Sequence, residues 1–146
     1  MGATHSILLV DDSPGESELF RLAWIQNGTG LLLHTESDLD RAFKFLARSF
    51  QDGTLPSLVL LDLKLHNEHG LDLLRRLRAD RMFMHLPVVV FTTSDRPADV
   101  AACYAAGANG YVVKPTLFEQ LVRFVNDLSR YWITWNRAPH MVVTRC

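Results

Sequence analysis

Hydrophobic positions along the chain follow two alternating patterns. Short apolar runs, SILLV (6–10), LLLHT (31–35), LVLLD (58–62), VVVFT (88–92) and GYVVK (110–114), are separated by longer stretches in which apolar residues recur every three or four positions. Runs without polar alternation suit strands covered on both faces of a parallel sheet, and the wider spacing suits amphipathic helices. The spacing predicts a first helix from about residue 13 or 14 to 27, with Leu19, Leu22 and Ala23 inward and Gly28 as its stop. A second covers 39 to about 50 on Ala42, Phe43, Leu46 and Phe50, and a third follows Gly70 on Leu71, Leu74 and Leu77. A fourth runs from Pro97, which is favourable in a first turn, to Ala106 before Gly107. A fifth starts at Thr116, with Leu117, Leu121, Phe124, Val125 and Leu128 inward. Five strand–helix alternations predict one doubly wound α/β domain, a five-stranded parallel sheet with helices on both faces.

Composition narrows the class. The chain has 146 residues, 48% of them hydrophobic and 21% charged, which suits one globular domain with its own core rather than a disordered chain. A net charge of −1 gives no general grip on nucleic acid. No apolar run approaches the roughly 20 residues of a membrane span, and no signal-peptide pattern opens the chain. The opening MGATHS fits the short N-myristoylation pattern, although Ser6 already begins the first strand. The two cysteines, Cys103 and Cys146, are too few for a disulfide framework and suit a reducing cytoplasm.

Candidate chemistry gathers at the strand ends. In an open parallel sheet, ligands bind outside the carboxyl ends of the strands, where strand order reverses. The first run ends in Asp11-Asp12, the third in Asp62, the fourth in Thr92 and the fifth in Lys114-Pro115, whereas the second ends in Thr35-Glu36-Ser37 without a matching pattern. That difference fits strand order 2-1-3-4-5, with strand 2 at an edge and strands 1 and 3 at the switch point. Two adjacent carboxylates repel unless a cation intervenes. Carboxylates on neighbouring strand ends make a hard oxygen site suited to Mg²⁺. A carboxylate beside it can attack phosphorus, with an ammonium from Lys114 and a hydroxyl from Thr92 to neutralise and orient the phosphoryl group. Each motif alone has a plain reading as a helix cap or turn. Their joint order along the strands is what points to one site.

The motifs LLVDD (8–12), LVLLDLKL (58–65) with GLDLL (70–74), PVVVFTTSD (87–95) and GYVVKP (110–115) resemble the receiver domain of two-component response regulators, over residues 6 to about 130. The resemblance implies a flavodoxin-like fold and a protein that is phosphorylated by a histidine kinase rather than an enzyme in its own right. It implies Asp62 as phosphoacceptor, with Asp12 as the main acidic Mg²⁺ ligand, Asp11 holding its water and the Lys64 backbone carbonyl completing the set. It further implies Thr92 as the switch hydroxyl, Lys114 as the phosphate-binding lysine, Tyr111 as the aromatic that reports phosphorylation, and a cis bond before Pro115. His66 stands where the family usually has proline, and Thr93 where a smaller residue is common. A haloacid dehalogenase-type phosphatase would need a second acid two residues after the nucleophile, where this chain has Lys64. A phosphorylation-independent interaction module is the other alternative. No GxGxxG or GxxxxGK[ST] follows a strand, so a nucleotide-binding motif is lacking.

The receiver-like region is expected to cover 1–131, with 132–146 a C-terminal extension used for packing or dimerisation. In RYWITWNRAPHMVVTRC the helical stripe continues through Trp132 and Trp135. Two exposed tryptophans would form an apolar patch that suits a partner surface, so Leu121, Phe124, Leu128, Trp132 and Trp135 are the expected interface of a twofold homodimer. The SILLVDDSPGESEL, KPTLFEQL and aromatic-rich ending together resemble single-domain regulators paired with bacterial phytochrome-type kinases. That narrower likeness implies dimerisation through the last helix. The segment is too short to be a DNA-binding output domain.

Overall fold

The computed structural model describes residues 5–28 and 30–139. Met1 and Gly2 of the myristoylation pattern, and Cys146, lie outside the described residues. Strands β1 (Ser6–Val10), β2 (Leu32–Glu36), β3 (Leu58–Leu61), β4 (Val88–Thr92) and β5 (Gly110–Val113) form one sheet, ordered 2-1-3-4-5. All of its pairings are parallel. Helices α1 (Pro14–Asn27), α2 (Leu39–Asp52), α3 (Gly70–Arg78), α4 (Pro97–Ala105) and α5 (Phe118–Ser129) make the crossovers. The doubly wound architecture is as the apolar pattern predicts, and its flavodoxin-like strand order is as the resemblance implies.

Alternation along the strands separates two cores. Ile7, Leu9, Leu58, Leu60, Val89 and Phe91 face α1 and α5, whereas Leu8, Val10, Val59, Leu61, Val88 and Val90 face α2, α3 and α4. The three central strands are buried throughout, which is why they lack polar alternation. β2 and β5 are the edges and are only partly covered.

Two helices depart from their predicted faces. Leu19 and Leu22 of α1 are 49% and 44% exposed; Ala23 is buried as predicted, with Phe20 and Trp24 in place of the two leucines. Phe20 stacks on Trp24 with 6.3 Å between ring centroids, and the Trp24 indole N–H donates to the Leu31 carbonyl (2.9 Å). Two aromatic rings bury more apolar area than two leucines, and they set the rotation of the helix. α5 begins at Phe118 rather than Thr116, and Leu117, at its N-cap, is exposed.

A π-helical segment, Arg130–Trp135, continues α5, so the expected boundary at 131/132 falls inside a continuous helical run. The chain then passes along a cleft of about 530 Å³ at the amino-terminal ends of the strands, where Trp132, Ile133 and residues 136–139 meet the loops before β3 and β4.

Candidate functional site

Backbone hydrogen bonds carry the sheet one residue past its strands and so fix the residues that follow them. The Asp11 N–H donates to the Glu36 carbonyl (3.1 Å), that of Asp62 to Val10 (3.0 Å) and that of Lys114 to Thr92 (2.7 Å). Asp11, Asp62 and Lys114 therefore leave the carboxyl edge of β1, β3 and β5 side by side. α1 starts at once: the Ser13 hydroxyl caps it by accepting from the Glu16 N–H (3.3 Å), and Pro14 occupies the first turn. This places the Glu16 carboxylate over the same edge.

The Lys114 ammonium ties these elements together. It donates to Asp11 Oδ2 (2.8 Å), Glu16 Oε2 (2.6 Å) and Asp62 Oδ2 (2.9 Å). An ammonium has three donors, so all are engaged. Asp11, Asp62 and Lys114 are nearly inaccessible to solvent, whereas the Glu16 side chain is 47% exposed at the mouth. The remaining oxygens accept from backbone: Asp11 Oδ1 from the Ser13 N–H (2.9 Å) and Asp62 Oδ1 from the Lys64 N–H (3.2 Å).

Burial raises the Asp11 pKa, against hydrogen bonds from Lys114 and the Ser13 N–H that favour the ionised form; repulsion from Asp62 adds a smaller push upward. For Lys114, burial by itself disfavours the charged form. Its hydrogen bonds to Asp11, Glu16 and Asp62 outweigh that, so its pKa is raised.

The carboxylate oxygens of Asp11, Glu16 and Asp62 lie within 4.8 Å of one another, the acidic grouping among the described residues that could hold a divalent metal. Three carboxylates and one ammonium leave two negative charges, which one such ion cancels. The all-oxygen donor set suits a hard cation. Asp12, expected as the main acidic ligand, is engaged elsewhere: its Oδ2 accepts from the His66 N–H (2.5 Å) and ties β1 to the loop after β3. Glu16, which the strand-end reading passed over, takes a place in the cluster. Ser13-Pro14-Gly15-Glu16 reads as an S-x-x-E helix start, a sufficient local reason for an acid there. Its second partner, Lys114, lies 98 positions away in the sequence.

That loop is a small hairpin in which Lys64–Leu65 pairs antiparallel with Glu68–His69. His69 Nδ1 accepts from the Leu71 N–H (3.2 Å) and so caps α3. Gly70 packs so tightly that a Cβ there would stand 2.2 Å from the Asp62 carbonyl oxygen, so only glycine lets α3 begin against the acid's own backbone. On the other side, Thr92 is fully buried, and its Oγ1 has no hydrogen-bond partner among the described residues. A buried hydroxyl without a partner is costly and asks for an explanation. The Ser94 hydroxyl donates to Asp99 (2.5 Å), and the Ser94 carbonyl accepts from the Tyr111 hydroxyl (2.8 Å). Burial raises the Tyr111 pKa.

One expectation is corrected and another is narrowed. No cis peptide bond occurs among the described residues, so Lys114–Pro115 is trans, the isomer that X-Pro bonds intrinsically favour. Of the expected interface residues, Leu121 and Leu128 are buried in the domain's own core. Phe124 stacks on Phe91 (4.9 Å), Trp132 packs against the same core, and Trp135, 73% exposed, faces solvent. The apolar stripe of α5 serves intramolecular packing first.

Comparison with known proteins places this geometry. A family model described as "Response regulator receiver domain" matches residues 7–126. The probable methanogenesis regulatory protein FilR2 of Methanothrix harundinacea is 34% identical over 91% of this chain and 86% of its own length. Response regulator Rcp1 of Synechocystis is 30% identical over 91% and 92% of the two chains. A crystal structure of Rcp1 in its Mn²⁺-bound form is similar with a TM-score of 0.80 and 29% identity, covering 93% of this chain and 99% of that one. The phosphorylated cyanobacterial phytochrome response regulator RcpA gives a TM-score of 0.84 at 26% identity, covering 94% and 100%.

Proposed function

The chain belongs to the response regulator receiver domain family, and from that premise we propose that it is a phosphoacceptor that takes a phosphoryl group from a histidine kinase onto Asp62. The observation that carries the reading is the Lys114 ammonium, which bridges Asp62 and Asp11 at the buried end of the sheet. In the transfer, the phosphorus–nitrogen bond of a phosphohistidine breaks with its electron pair left on the imidazole, and a phosphorus–oxygen bond to Asp62 forms. Asp62 is held for attack by the Lys64 N–H and Lys114. Lys114 moves a hydrogen bond to the phosphoryl oxygens, and the unpartnered Thr92 hydroxyl donates a second, turning its desolvation cost into a gain for the phosphorylated state.

Mg²⁺ is the cation proposed for the acidic cluster, where it would supply charge neutralisation at the reacting oxygens. Asp11, Glu16 and Asp62 are the carboxylates placed to hold it. Asp12 and the Lys64 carbonyl would join them, with Asp12 releasing the His66 N–H. Inward movement of Thr92 and Tyr111 then alters the surface of α4, β5 and α5, the local change that biases partner choice. The likeness to the phytochrome response regulator RcpA supports a phytochrome-type kinase as donor; a cytoplasmic homodimer without nucleic-acid or membrane partners completes the proposal. Among the described residues no helix is long and apolar enough to cross a membrane.

With Mg²⁺ and acetyl phosphate, the intact mass is expected to rise by one phosphoryl group, and Asp62→Asn to stay unmodified. A modified Asp62→Asn would move the acceptor elsewhere. An unmodified wild type would favour a phosphorylation-independent interaction module.

A further inference from the structure

Glu16 has a place in the proposed cation site, but its contact with Lys114 has no part yet in the proposed transfer. Its carboxylate lies at the mouth, half exposed, yet makes the shortest of the three Lys114 contacts, 2.6 Å against 2.8 and 2.9 Å. It is also the one acid of the cluster that comes from a helix rather than a strand end, so it can move with the α1 first turn or change rotamer without disturbing the sheet. Lys114, in contrast, has no spare proton. A phosphoryl group on Asp62 can gain the ammonium only if a carboxylate releases part of it. Asp11 and Asp62 are enclosed and each has a further backbone donor, whereas among the described residues Glu16 has no second side-chain contact.

Resting on the phosphoacceptor reading, we propose that Glu16 is a positioning residue that sets the site's charge balance: its carboxylate strengthens the hold on the divalent cation and competes with the phosphoryl group for Lys114. Both effects follow from one negative charge within 4.8 Å of the other carboxylates. Near a cation that charge attracts; near a phosphoryl oxygen it repels and also occupies the ammonium. The two consequences therefore have opposite signs. A merely structural role, such as support of the α1 first turn, would move both ligands in one direction.

The test is calorimetric titration of the full chain with Mg²⁺, followed by titration with beryllium fluoride at saturating Mg²⁺, for wild type, Glu16→Gln and Glu18→Gln. Among the described residues Glu18 pairs only with Arg21, one turn further along α1, so its variant makes the same change in net charge away from the site. Glu16→Gln is expected to weaken Mg²⁺ binding and tighten beryllium fluoride binding, each on the order of tenfold for a charge at this range in a partly solvated site. Glu18→Gln should leave both constants at the wild-type values. Equal constants in Glu16→Gln and wild type, or a loss of both ligands together, would overturn the proposal. Wild type that binds Mg²⁺ but no beryllium fluoride would overturn the phosphoacceptor reading instead, and the Mg²⁺ arm would still decide whether Glu16 belongs to the cation site.

Discussion

Asp11 is held in a state that costs the fold something. Burial raises its pKa, so the native protein binds that proton more tightly than the unfolded chain does. The sign follows from linkage: stability is intact below the unfolded pKa and is lost as pH climbs through the higher folded one. In metal-free buffer near neutrality, Asp11→Asn is therefore expected to stabilise the protein, because it removes a buried charge while Lys114 keeps Glu16 and Asp62 as partners. The advantage should shrink as pH falls toward the ordinary carboxylate range, where wild type is protonated as well. Saturating Mg²⁺ should reverse it, because a cation that binds only the native state stabilises wild type by mass action. Urea denaturation at several pH values, with and without Mg²⁺, reads all three. A variant less stable than wild type in metal-free buffer would mean that the Lys114 hydrogen bond outweighs burial. At this scale Asp11, Asp62, Thr92 and Lys114 were legible in the sequence because each directly follows or ends an apolar run. Glu16 was not, since its partner is fixed only by the fold.

At the scale of elements, the clearest unforeseen feature is a half-buried fork. Arg78, the last residue of α3, looks like one more solvent-facing charge on an amphipathic helix in RRLR. Its guanidinium instead donates to the carbonyls of Gly107 (3.0 Å), Phe83 (3.0 Å) and Leu86 (2.8 Å) and to Asn109 Oδ1 (2.9 Å). Asn109 Oδ1 also accepts from the Val88 N–H, so the fork joins the end of α3 to the starts of β4 and β5. Gly107, with φ +103°, leaves room for the arginine stem, 2.9 Å from where a Cβ would stand. Burial lowers the Arg78 pKa, an effect the carbonyl acceptors accommodate by hydrogen bonding rather than by countercharge. Arg78→Ala is expected to cost about 2–3 kcal/mol in chemical denaturation, since partly buried carbonyls lose a charged donor. Arg78→Lys should recover only part of it, because a point charge cannot reach three directions at once. Periodicity found α3 correctly, but a period cannot distinguish a charge that faces water from one that bends back over a loop. The α1 face was misjudged for a related reason, because leucines and aromatics compete for one buried stripe and only packing decides between them.

For the whole molecule, the remaining question is what its second apolar surface meets. The stripe of α5 that suggested an interface is consumed inside: Leu121, Val125 and Leu128 complete the core over β1, β3 and β4. What stays outside is Val113, Leu117 and Phe118 where β5 passes into α5, and Tyr131 and Trp135 beyond its end. A twofold contact built on α5 would use those residues, with Trp135 as the largest single anchor, in keeping with the aromatic side chains that dominate interfaces. Trp132 and Trp135, only three positions apart, should therefore behave differently. Trp132→Ala removes a side chain packed on the core, and its unfolding free energy should drop by about 1–3 kcal/mol. Trp135→Ala should leave stability within about 0.5 kcal/mol of wild type, as for most surface changes, while reducing the molar mass seen by light scattering from dimer to monomer. The measurement is made in Mg²⁺ before and after beryllium fluoride, because the proposed switch surface and the exposed aromatic residues share α5. A dimer that survives Trp135→Ala would place the contact elsewhere. A monomer in both states would leave the π-helical turn and the segment after it as an intramolecular strap across the amino-terminal ends of the strands.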